Sequence, residues 1–246
     1  MKYSIVTVCK NAAEVLESTI TSVIGQKGVD FEYLILDGAS TDHTVDIIKK
    51  FQKHISFWVS EPDSGIYPAM NKALTKAKGE WVYFLNAGDI FLSSHVLSDF
   101  RPILDSDDIV YGNVEMDTNK GIVINKFNRV NRWFWLQKTI CHQAVFAKKQ
   151  LFNKWGNFNS RYKIAADYEW LLRMVLKNHV KTQYTDLNIA RIDMSGISNN
   201  PKTRNLVLSE YSEIRSIYFS HIENLFLSGY TNVLQMLVKY KNRTIK

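Results

Sequence analysis

The sequence predicts an α/β protein: a mostly parallel, partly mixed sheet flanked by helices and followed by a helical C-terminal extension. Three observations predict it. Up to about residue 115, short apolar runs alternate with segments of helical period, the rhythm of parallel βαβ units. Beyond that point two strand-like runs follow one another with no crossover helix between them, which makes part of the sheet mixed. From about Lys202 onward the pattern is helical and rich in aromatic residues.

The elements follow in order. Ser4-Ile5-Val6-Thr7-Val8-Cys9 is apolar and β-branched, as a strand buried on both faces requires. Asn11 then reads as a helix N-cap with Glu14 three residues later, and Leu16, Ile20, Val23 and Ile24 form one apolar stripe. Residues 33–36 make a second strand, stopped by Asp37-Gly38. Ser40 or Thr41 caps the next helix, which turns Val45, Ile48 and Phe51 inward. A third strand over 55–59 precedes a helix over 65–78, with Ile66, Met70, Ala73 and Ala77 aligned. Residues 81–85 form a fourth strand, broken at Asn86-Ala87-Gly88-Asp89. The two strands without a crossover are 109–114 and 122–126. An apolar strand-like run precedes His142, and 167–178 is helical with Leu171, Met174 and Val175 on one face. In the extension, Ile214, Ile217, Tyr218, Leu225, Leu227, Leu234 and Leu237 suggest amphipathic helices, ending in Lys239, Lys241, Arg243 and Lys246.

Composition narrows the function classes. A chain of 246 residues with 46% apolar content fills a substantial core, and 22% charged residues exclude wholesale disorder. The net charge of +7 favours an anionic partner: nucleotide phosphates, nucleic acid or an anionic membrane surface. No Arg-rich helix or zinc-finger spacing supports nucleic acid, which is set aside. Cys9 and Cys141 lack CxxC spacing and read as reduced, buried thiols of a cytoplasmic protein. The N-terminus runs directly into a strand, leaving no room for a signal peptide, and no apolar stretch approaches bilayer-spanning length. A soluble or peripheral cytoplasmic protein is expected.

Ligands of open α/β sheets bind beyond the carboxyl ends of the strands. Lys10-Asn11 follows the first strand, Asp37 to Asp42 the second, Glu61 to Gly65 the third, and Asn86 to Asp89 the fourth. Each alone is also ordinary turn chemistry; four on one rim form a pattern. The rim lacks Gly-x-Gly-x-x-Gly and Gly-Lys-Ser/Thr, so it is neither a dinucleotide fingerprint nor a phosphate loop. Its acidity suits ribose hydroxyls and a divalent cation that in turn holds phosphates.

These residues resemble the family 2 glycosyltransferases. The likeness runs from residue 3 to about 175. It is carried by Val6-Thr7-Val8 with Lys10-Asn11, by Asp37-Gly38-Ala39-Ser40-Thr41-Asp42, and by Glu61-Pro62-Asp63-Ser64-Gly65-Ile66-Tyr67 with Ala69-Met70-Asn71-Lys72. Phe84-Leu85-Asn86-Ala87-Gly88-Asp89 and Ala166-Asp167-Tyr168-Glu169 complete the set, whose order and spacing are specific. The resemblance implies a Rossmann-like GT-A domain over 1–200, with a nucleotide-binding half to about 115 and an acceptor half from about 116, before an extension over 201–246. It implies that Asp37 and Asp63, with Thr7, Asn11, Asn71 and Asn86, contact a nucleotide-sugar donor. Asp42 reads as a helix cap, and Asn71 alternatively as a polar residue on a helix face. Asp89 is implied as the ligand of Mg²⁺ or Mn²⁺, although Asn86 and Gly88 stand where the family places further acidic residues. Asp167 is implied as the catalytic base, against the simpler reading of a carboxylate at a helix N-terminus.

His142-Gln143 also matches a recurrent pair in such enzymes. His142 and Gln143 would touch the diphosphate or the acceptor, or else His142 is a satisfied interior histidine. Trp133, Phe134 and Trp135 beside Arg132 would stack on a sugar, rest on lipid head groups, or pack as core, the default for clustered aromatics. The expected function is inverting transfer of a sugar from a nucleotide diphosphate, UDP by default, to a hydroxyl of a lipid-linked saccharide in bacterial surface-polysaccharide assembly. The expected setting is peripheral, at the inner face of the plasma membrane, with the C-terminal helices packed on the domain or on a second subunit. The alternative is a nucleotide-sugar-binding protein without turnover. A related nucleotidyltransferase would want a Gly-rich basic loop where Cys9-Lys10-Asn11-Ala12 stands.

Overall fold

The computed structural model describes residues 2–104, 107–118, 121–128, 130–194, 196 and 200–230. β1 (Tyr3–Cys9), α1 (Leu16–Ile24), β2 (Phe31–Asp37), α2 (Thr44–Phe51), β3 (Phe57–Ser60), α3 (Ile66–Lys76) and β4 (Trp81–Phe84) form the alternating half. β5 (Ile90–Phe91), α4 (Val96–Phe100), β6 (Ile109–Thr118), β7 (Gly121–Asn125), α5 (Arg132–Gln137), β8 (Val145–Lys148), α6 (Lys149–Trp155), α7 (Ala166–Leu172), β9 (Thr182–Ile192) and α8 (Arg204–Tyr218) follow. A further helix covers 221–230.

All the strands join one sheet in the order β3-β2-β1-β4-β8-β6-β9-β5, with β7 paired to β6. β1 to β4 are mutually parallel, and β8 enters antiparallel between β4 and β6. The period-2 alternation of the strands divides the core in two. Tyr3, Ile5, Tyr33, Ile35 and Tyr83 pack with Leu16, Ile20 and Val23 of α1, Ile48 of α2 and Phe100 of α4. Val6, Val8, Leu34, Leu36 and Phe84 pack on the other face with α3, α6, α7 and Ile214 of α8. A continuous apolar strand is what this two-sided burial needs, and β1 is buried along all seven residues.

Several expected boundaries move. α1 starts at Leu16, its N-terminal turn made by bonds from Val15 N and Leu16 N to Ala12 O, so Asn11 caps nothing. α2 starts at Thr44 after His43 as its N-cap, and Asp42 leads into it through an Asx turn, its Oδ1 accepting from Thr44 N at 3.0 Å; Ser40 and Thr41 lie outside it. The third strand is Phe57–Ser60 rather than 55–59, α3 ends at Lys76, and β4 ends at Phe84. No strand stands directly before His142 among the described residues: the helix α5 ends at Gln137, and the strand comes after, as β8. The helix expected over 167–178 is α7 followed by a π-helical turn over Arg173–Lys177. In the extension Ile214 and Leu227 are buried, whereas Ile217 and Leu225 are about 60% exposed. Leu234, Leu237 and the basic residues Lys239, Lys241, Arg243 and Lys246 lie outside the described residues.

Candidate active site

A cleft of about 610 Å³ opens at the carboxyl ends of β1 and β4. Loops around Asp63, Asn86 to Asp89, Cys141 to Gln143 and Lys163 to Asp167 wall it, with Asp193 beyond β9 and Tyr211 of α8.

Asp167 stands at the second position of α7 with its side chain 14% exposed. Its Oδ1 accepts from Tyr168 N at 2.9 Å and lies 2.9 Å from Tyr67 OH, which shares its proton with Ile164 O at 2.6 Å. Its Oδ2 lies 3.3 Å from His142 Nδ1. His142 Nε2 accepts from Asn86 Nδ2 at 2.9 Å, which places the imidazole proton on Nδ1, pointing at Asp167. His142 thus orients the carboxylate. Asn86 Oδ1 is buried and has no hydrogen-bond partner among the described residues.

Asp89 is buried, with Oδ2 accepting from Gln143 Nε2 at 2.8 Å and Oδ1 from Asp193 N at 2.9 Å. Burial pushes its carboxyl up to about 6, against the lowering effect of those two N–H groups. Gln143, expected with His142 at the diphosphate or acceptor, lines the cleft and donates to Asp89. Asp89 and Asp193 are the carboxylates that could hold a cation. Among the described residues no three His, Cys, Asp or Glu side chains form a preassembled cluster. A cation here would take its remaining oxygens from a bound diphosphate and water, as Mg²⁺ sites commonly do.

The other expected donor contacts divide. Asp63 lines the cleft, its Oδ1 accepting from Gly65 N at 3.1 Å. Gly38 makes room for it: a Cβ there would meet Asp63 Oδ2 at 2.6 Å. Asp37 is buried behind the rim, where its carboxylate accepts from Ser40 N at 2.9 Å, Ser60 Oγ at 2.5 Å and Ser40 Oγ. Its acceptor positions tie together the ends of β2 and β3. Thr7 is fully buried, donating to Leu85 O at 2.7 Å and pairing with Tyr33 OH, so its side chain lies beneath the cleft. Asn11 is exposed in a left-handed conformation (φ 50°), and its Oδ1 accepts from Thr41 N at 2.9 Å, holding the loop after β2. Asn71 clamps Phe158 through both backbone groups, at 2.8 and 3.0 Å, and lies outside the cleft lining.

Phe134 and Trp135 are core, while Trp133 stays 42% exposed. The sequence reading missed Asp193, Tyr211 and Lys163. Asp193 follows β9, a half-exposed strand whose short alternation over 186–189 the sequence reading leaves unassigned. Tyr67 was visible in Gly65-Ile66-Tyr67, without a role. Lys10 and Lys163 are exposed basic residues of the cleft lining.

Residues 4–163 match the family model described as Glycosyl transferase family 2. Over 204 residues the chain is 31% identical to the PGL/p-HBAD biosynthesis glycosyltransferase of Mycobacterium bovis, covering 80% of this chain and 79% of that one. It is 38% identical over 89 residues to the putative teichuronic acid biosynthesis glycosyltransferase TuaG of Bacillus subtilis, covering 35% of each. The fold matches S. aureus TarS, solved with UDP-GlcNAc, at a TM-score of 0.69 and 19% identity, over 87% of this chain and 66% of that chain. It also matches the mannosyltransferase PcManGT of Pyrobaculum calidifontis, solved with GDP-Man and Mn²⁺, at a TM-score of 0.60 and 14% identity, over 94% and 80%. The chain belongs to glycosyl transferase family 2, and it is a glycosyltransferase of GT-A fold.

Proposed function

We propose that this enzyme moves a sugar from a UDP-sugar, with inversion, to a hydroxyl of a lipid-linked saccharide in the assembly of a bacterial surface polysaccharide. The observation that carries the reading is Asp167, a carboxylate in the cleft wall oriented by Tyr67, Tyr168 and His142. In a direct displacement, the acceptor hydroxyl gives its proton to Asp167 as its oxygen bonds to the anomeric carbon. The bond from that carbon to the diphosphate breaks on the opposite side. Asp63 and Asn86 serve the donor, and Lys10 and Lys163, basic residues of the same lining, add positive charge near it. Asp89, with Asp193, would hold Mg²⁺ or Mn²⁺, which when bound supplies positive charge to the departing diphosphate. UDP-GlcNAc in TarS and Mn²⁺ with GDP-Man in PcManGT support a nucleotide donor and a metal. TuaG, named for teichuronic acid, supports polysaccharide assembly. A binder without turnover is favoured by one observation, that both oxygens of Asp89 already accept N–H bonds.

A thermal-shift series with UDP, GDP and their sugars, with and without Mn²⁺, tests the donor site. At least one nucleotide diphosphate should raise the melting temperature, more with Mn²⁺. If none does under either condition, the donor-site assignment is wrong.

No helix among the described residues is long and apolar enough to cross a membrane. Trp133, Ile222, Leu225, Phe226 and Tyr230 instead line an exposed apolar groove of about 580 Å³. The 16 residues after Tyr230 carry four Lys or Arg and no acidic residue. That combination suits the anionic cytoplasmic face of a membrane, where a lipid-linked acceptor resides. The protein should co-sediment with phosphatidylserine vesicles at low salt, and I222S/F226S should abolish it. Vesicle binding unchanged in that variant, or a dimer lost instead, assigns the face to a second copy.

A further inference from the structure

α8 lies beyond the segment that matches the family model, yet its Tyr211 lines the cleft and the preceding Glu210 holds the backbone of cleft residues. Glu210 is 6% exposed. Its Oε1 accepts from Lys163 N at 2.7 Å, and its Oε2 accepts from Ile164 N and Ala165 N, each at 2.9 Å. Those three residues are the approach to α7, and Lys163 and Ile164 are themselves cleft residues. Ile164 O holds Tyr67 OH, which in turn sits on Asp167 Oδ1. Tyr211, next in sequence, lines the cleft, and its ring stacks on Tyr168 with centroids 4.6 Å apart and planes 14° apart. Tyr168 N is the backbone donor to Asp167.

A buried carboxylate is costly unless hydrogen bonds replace its water. Here three main-chain N–H groups of one short segment do so, in charge-assisted bonds that fix the segment's path more firmly than apolar packing would. Packing alone would be served by another residue like Ile214, one turn further along the same helix. Glu213, close by on α8, bonds the side chains of Arg161 and Tyr162 instead, away from the cleft lining.

We propose that Glu210 is a positioning residue of the active site: through the backbone of residues 163–165 it sets the place of Asp167, making α8 a working wall of the cleft. The inference rests on the reading of Asp167 as the base. Displacing a catalytic group by about 1 Å costs about 100-fold in rate.

The test compares E210Q, E210D and the control E213Q in the full chain. The readouts are UDP-GlcNAc hydrolysis with Mn²⁺ and hydrogen exchange of the 163–168 segment. E210Q should lower kcat 10- to 100-fold while the donor KM stays within twofold, and E210D should fall between it and wild type. Exchange across 163–168 should speed up in E210Q, with the segments carrying Asp63 and Asp89 unchanged. E213Q should match wild type in both. A kcat for E210Q within twofold of wild type, or KM rising with kcat held, overturns the proposal. If E210Q does not fold, E210D decides on the same criteria. If UDP-GlcNAc is not hydrolysed, the exchange result decides, and unchanged exchange overturns it. D167N in the same assay separates the two ideas: unchanged hydrolysis there defeats the base assignment, whatever Glu210 does.

Discussion

D167N lowers glycosyl transfer by about 10²–10⁴-fold, the range a general base contributes, with donor affinity unchanged. The substitution preserves shape. One oxygen remains for Tyr67 OH and Tyr168 N, the two groups on Oδ1. The new amide would face His142 Nδ1, whose proton must then move to Nε2, with the Asn86 amide turning over so that its unpaired Oδ1 accepts that proton. Folding is therefore retained and the proton acceptor is lost. Kinetics at saturating donor, with a thermal shift for UDP and Mn²⁺, read the two parts separately. A variant that transfers at the wild-type rate disproves the role of Asp167; one that no longer binds UDP moves Asp167 into the donor site.

D89A has the second large effect, and it acts on the donor. Losing a carboxylate that holds the cation should abolish the Mn²⁺-dependent part of UDP stabilisation and lower transfer by at least about 10²-fold, since a metal contributes several kcal/mol to such a step. The pH dependence has two opposite signs. In the ligand-free protein the Asp89 carboxyl is raised from 3.8 to about 6, corresponding to about 3 kcal/mol. That contribution to stability is complete below about 3.8, and it is lost as the pH rises through about 6 and the buried group ionises. Binding of Mn²⁺ runs the other way, because only the carboxylate ligates. UDP with Mn²⁺ should therefore stabilise the wild type most above pH 7, with apparent metal affinity falling about tenfold per pH unit below 6. An Mn²⁺ effect that survives in D89A, or does not depend on pH between 5 and 8, removes Asp89 from the metal site.

The alternating half of the fold was legible because its strands are short, apolar and bounded by turn residues, all local properties. The antiparallel insertion was not. β8 has only four residues, and it is central because β4 and β6 flank it, which no local window records. The apolar run before His142 looked like a strand since short apolar runs carry no decisive period. In the site, Asp63, Asn86, Asp89, His142, Gln143 and Asp167 fall together in one cleft. Thr7, Asn11, Asp37 and Asn71 were also named, but polar residues near strand ends serve equally to tie loops, and only their partners separate the two uses. Glu210 carried no signal at all, because its three ligands are backbone N–H groups of a segment some 46 residues away.

The anomeric configuration of the product tests the central claim most directly. Proton NMR recorded in the first minutes of turnover, before mutarotation, distinguishes the two anomers of sugar released from an α-linked UDP-sugar. A single displacement assisted by Asp167 predicts the β anomer. Initial release of the α anomer would mean retention, and would contradict the assignment of Asp167 as the base of an inverting transfer.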